Sequence, residues 1–139
     1  MPDTALELPD GDVTLLLHDL AGVTYVNLRP GVDVEGIPPV SGLGQLFGNR
    51  GAAVPLATWT PGEIGLQHGA GRRAAPLLAE LGVGVPDDWY VVSDHPRRGL
   101  VVRTYESPPA DTLRWLVRAA TAVCSVRITG PWLAEVHRV

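Results

Sequence analysis

The densest polar chemistry in the chain lies in Ser93-Asp94-His95-Pro96-Arg97-Arg98-Gly99, where an acid, an imidazole and two guanidiniums follow one another. Arginine forks grip carboxylate or phosphate through paired hydrogen bonds, so Arg97 and Arg98, with Arg103 nearby, are candidates for holding a small anionic ligand. Asp94 and His95 stand beside them as an acid and a base, although adjacent strand-end residues tend to point apart. The same run also reads as a solvated turn, since turns are polar for structural reasons alone.

Other chemistries find little support. All eleven basic residues are arginine, so no Schiff-base lysine, lysine base or P-loop lysine is available. The four histidines, His18, His68, His95 and His137, are scattered singly and lack ligand spacing, so no metal site is expected. Ser41, Ser93, Ser107 and Ser125 lack a Gly-x-Ser-x-Gly elbow. Gly42-Leu43-Gly44 lacks the spacing and the lysine of a phosphate loop, and no cofactor is expected. Residues 69–139 hold nine arginines against seven acids, far short of the basic stripe of a nucleic-acid binder.

The elements that must carry these residues can be read from periodicity. Trp89-Tyr90-Val91-Val92 and Leu100-Val101-Val102 flank the polar run as paired strands, which places it at a hairpin tip. Val13–His18 and Val23–Leu28 read as an earlier hairpin, and Val54–Trp59 and Glu63–His68 as another. The latter turns at Thr60-Pro61-Gly62, where Pro presets the first φ and Gly accepts a positive second one. A helix opening at Thr60 competes, but Gly62, Gly65 and Gly69 weaken it. A helix is expected over Ala74–Leu81. A second runs from about Ser107 to Val123, with Leu113, Leu116, Val117, Ala120 and Cys124 on one apolar stripe. Val126–Ile128 and Trp132–Val136 close the chain as a last hairpin around Gly130-Pro131.

These pieces predict one α+β domain over 1–139, an antiparallel sheet built from hairpins with two helices on one face. The order helix-hairpin-helix-hairpin in the second half allows an αββ duplication. Residues 29–52, rich in Gly and Pro, are expected to form a long loop.

Trp115 is the oddest placement. At 100° per residue it lies opposite the apolar stripe, beside Arg118, and an apolar ring on a polar face predicts a subunit contact. A covering loop, or stacking under Arg118, would account for it equally.

Hydrophobic content of 45% and charged content of 19% are those of a globular chain. A single cysteine, no apolar run of membrane-spanning length and no secretory pattern at Met1-Pro2-Asp3-Thr4 give the expectation of a cytoplasmic protein without a membrane partner. The functional expectation is a small non-catalytic binding or interaction domain, assembled as a homo-oligomer through Trp115 and Arg118. The alternative is an enzyme or ligand-binding domain for a small anionic molecule, using the Asp94-His95-Arg97-Arg98 hairpin and the 29–52 loop.

Overall fold

Alternation along the strands decides which face is buried, and register carries that choice from strand to strand. A computed structural model describes residues 4–32 and 54–138. Its elements are β1 (Thr4–Leu8), β2 (Val23–Val32), β3 (Leu56–Thr60), β4 (Glu63–Gln67), α1 (Ala74–Glu80), β5 (Tyr90–His95), β6 (Gly99–Arg103), α2 (Pro109–Val123) and β7 (Ile128–Arg138). All strands join one seven-stranded sheet in the order β1-β7-β2-β3-β4-β6-β5. Every neighbouring pair is antiparallel. The α+β class follows, with both helices on one face.

Two rungs of cross-strand partners run the full width of the inner face. One reads Thr4, Val136, Val26, Trp59, Ile64, Val102, Val91. The next reads Leu6, Ala134, Leu28, Ala57, Leu66, Leu100, Asp94, apolar until its last member. The outer face is mixed, with exposed Tyr90, Val92 and Leu133 among polar residues, and it is cross-linked: Thr58 donates to Asn27 at 2.9 Å, and the rings of Tyr25 and His137 stack with centroids 4.2 Å apart.

The second helix covers the inner face. Leu113, Leu116 and Ala120 are buried, as the stripe requires, while Val117 is half-buried. The buried side is wider than the stripe and takes in Thr112, Trp115, Ala119 and Val123. Trp59 Nε1 donates to Thr112 Oγ1 at 3.0 Å, and that hydroxyl donates in turn to the Pro109 carbonyl. A polar ring nitrogen is thereby satisfied inside the helix–sheet interface.

Three sequence-based expectations change. Val13–His18 is not a strand: residues Val13–Asp19 form a 3-10 helix, because the Asp12 carboxylate accepts from the Thr14 N–H and hydroxyl and closes a local turn. Val13 and Leu16, one 3-10 turn apart, then enter the core together. The last hairpin is instead the single strand β7. Gly130 pairs with Gly31, and a Cβ on Gly31 would lie 2.3 Å from the Pro131 carbonyl, so the strands cross at a bulge where a side chain does not fit. One long strand after α2 leaves no second αββ unit among the described residues. Arg29–Val32, expected in the long loop, extend β2, and the remainder of 29–52 lies outside the described residues. No helix among the described residues is long and apolar enough to cross a membrane.

Leu116, fully buried where α2 meets the sheet, sets the first test. Leu116→Ala is expected to cost about 2–5 kcal/mol in urea unfolding. A loss below about 1 kcal/mol would mean that α2 does not seat this face.

Candidate functional site

A β-bulge aims the acid of the polar run. On β6 the inward residues Leu100 and Val102 are two apart, yet their partners on β5, Asp94 and Val91, are three apart, with a register shift between Val91 and Ser93. The extra residue leaves Val92 and Ser93 both exposed and restores the inward direction at Asp94. There the carboxylate accepts from two backbone N–H groups of α1, Ala74 at 2.8 Å and Ala75 at 2.9 Å. The helix needs this, because Arg73 in its N-cap position makes no side-chain cap. Asp94 is therefore a remote cap, satisfying donors that a helix start leaves orphaned.

The remaining members of the run are dispersed. His95 faces away from Asp94, and its Nδ1 accepts from the backbone N–H of Arg97 at 3.1 Å and of Arg98 at 3.2 Å. It closes the turn. Gly99 completes it at φ 99°, where a Cβ would meet the Leu66 carbonyl at 2.3 Å. Arg97 and Arg98 are exposed at the tip. Arg103 lies at the far end of β6, on the outer face beside Glu63 at 4.0 Å. The five expected ligand-binding residues thus do not converge on one pocket. Asp94 does tie the tip to the start of α1, which brings exposed Arg73 to the same corner, while Arg72 is held by Glu80 through two contacts of 3.1 and 3.2 Å.

Sequence reasoning passed over His68. It continues the inward alternation of Ile64 and Leu66 and is only 2% exposed. Its Nδ1 accepts from the Ala70 N–H at 3.2 Å, so the neutral ring carries its proton on Nε2, which is buried without a partner among the described residues. Burial holds its pKa below the ordinary 6.5, and the Asp94 carboxylate draws it part of the way back. His68 is thus sealed from solvent, and each carboxylate oxygen of the half-buried Asp94 holds one amide of α1.

Trp115 is covered within its own chain. It is 7% exposed, its ring meets the edge of Trp89 at 5.3 Å and 81°, and its Nε1 donates to the Gly84 carbonyl at 3.1 Å. The connection from α1 to β5 supplies this cover, so the apolar surface that argued for a subunit contact at Trp115 is not there. Arg118 is exposed on the same helix.

A cleft of about 690 Å³ opens at the opposite end of the sheet, between Glu7, Asp10, Thr121, Thr129 and Trp132. Its charged lining is acidic, unsuited to the expected anion. Among the described residues no three His, Cys, Asp or Glu side chains come together as a metal site.

Two measurements follow from this corner. Asp94→Ala should cost about 0.5–2 kcal/mol, with faster hydrogen exchange at the Ala74 and Ala75 amides. Unchanged exchange there would remove the capping role. His68, neutral when buried, takes up its proton more readily in the unfolded chain. Stability should therefore be full above pH 6.5 and fall as pH drops from there toward the lowered folded value. His68→Phe should flatten that part of the profile; an unaltered slope would place the proton uptake elsewhere.

Comparison with protein-family models, with curated proteins and with solved structures returned no match, so the reading of the site rests on its own geometry.

Proposed function

We propose that the protein is a non-catalytic interaction domain that docks through its terminal strand, β5. The carrying observation is the state of that strand. Among the described residues it ends the sheet and pairs on one side only, and it exposes Tyr90 (57%) and Val92 (43%). The outer side of an edge strand offers unpaired N–H and C=O groups, a template for another strand. Edge strands are commonly guarded by charge or proline, and the stretch Tyr90–Ser93 contains neither. The engagement of Asp94 and His95 in backbone contacts supports the same reading, because the best acid/base candidates serve the fold.

A small-anion site is the second reading, favoured by the exposed Arg73, Arg97 and Arg98 that flank the Asp94–Ala74 contact. A thermal-shift panel of phosphates and carboxylates discriminates, since a ligand at a hundred times its Kd adds about 2.7 kcal/mol. A hit abolished by Arg97→Ala/Arg98→Ala would favour it.

The leading reading is tested by panning short random peptides against the folded protein and against Tyr90→Lys/Val92→Lys, which places two charges on the edge. Peptides that bind the wild type, protect the Tyr90–His95 amides from exchange and fail on the double variant are expected. Binders that ignore the substitution would overturn the docking role of β5.

A further inference from the structure

Resting on that reading, we infer that the partner of β5 is a second copy of the same strand, paired antiparallel about a two-fold axis between Val92 and Ser93. The exposure pattern from Tyr90 to His95 is exposed, half-buried, exposed, exposed, half-buried, exposed. It is the same read from either end. A two-fold axis through the middle of an antiparallel pair sets each residue opposite its mirror position, so outward residues meet outward ones only if the pattern has this symmetry. In a plain alternating strand of six residues, such an axis would set inward side chains opposite outward ones. The bulge at Val92 removes that mismatch. Tyr90 then faces His95 of the second copy on the outer side, Val92 faces Ser93 at the axis, and Val91 faces Asp94 on the helix side.

Charge is arranged about the same centre. Asp87 and Asp88 form an exposed turn one residue before β5, and Arg97 and Arg98 an exposed tip one residue after it. Pairing about the Val92/Ser93 axis brings the Asp87-Asp88 turn of each copy toward the Arg97-Arg98 tip of the other, once on each side. A parallel arrangement would set acid beside acid and arginine beside arginine. Opposed charges flanking a main-chain ladder select the antiparallel register and the partner. With both copies presenting their helices to the same side, one sheet would continue through the dimer.

The test exchanges the charges. Wild type should sediment as a dimer that dissociates on dilution and weakens as salt rises. Arg97→Glu/Arg98→Glu sets acids against acids, and Asp87→Arg/Asp88→Arg sets arginines against arginines. Each variant alone should lose about a hundredfold in dimer affinity while keeping the wild-type circular dichroism. Mixed in equal amounts, the two variants should recover a heterodimer, because every facing pair is again opposite. That recovery also excludes misfolding as the cause of the separate losses. A wild type that stays monomeric up to millimolar concentration, or variants that dimerise as well as wild type, would overturn the self-pairing. Peptide binding at β5 that survives in such a monomer would leave the docking role standing, so the two failures are distinguishable.

Discussion

Period-two alternation commits one face of this sheet to burial, and the remainder of the architecture accommodates that commitment. The rung from Leu6 to Leu100 is apolar across six strands and ends on the carboxylate of Asp94. A half-buried charge at the rim of a core is costly unless hydrogen bonds meet it. The start of α1 meets it, since a helix N-terminus has donors to spare and favours negative charge. One contact thereby solves two problems, the carboxylate's and the helix's, and it anchors α1 over the end of the sheet. The β5 bulge belongs to the same solution, because without the extra residue Asp94 would point to the other face.

What the chain discloses in advance depends on whether the physics is local. The β5–β6 hairpin, the Pro61-Gly62 turn and the stripe of α2 depend on neighbouring residues and are legible. The 3-10 segment is also local, but the Asp12 side chain outcompetes the strand preference of Val13–Leu17, and a hydrophobic run does not reveal that. The crossing of β2 and β7 at Gly31 and Gly130 is a contact between distant parts of the chain, and Gly130-Pro131 taken alone reads as a turn. Thr4–Leu8 does alternate, with Leu6 and Leu8 inward, though it is too short to assert itself without β7 beside it.

The candidate site follows the same division. His95 as a turn residue and the exposure of Arg97 and Arg98 are local matters. Asp94 reaches a helix start twenty residues earlier, which no spacing discloses. His68 could have been found, because it extends the alternation of Ile64 and Leu66 by one step. A helical wheel set Trp115 opposite the stripe, but a wheel does not see the Gly84 and Trp89 connection that folds over that side. Asp94 and His95 thus hold a helix cap and a turn together, and the docking proposed for β5 draws instead on main chain at the edge of the sheet.

The arrangement of the tryptophans gives the molecule an internal reporter. Trp59 is tied to α2 through Thr112, Trp115 belongs to α2, Trp89 stands edge-on to Trp115, and Trp132 lies against Gly11, which Val117 of α2 also approaches. All four indoles of the chain therefore sense the seating of a single helix. Ultraviolet emission followed during unfolding will record the departure of α2 from the sheet, and through Trp59 on β3 and Trp132 on β7 it will also register the parting of those strands from their neighbours.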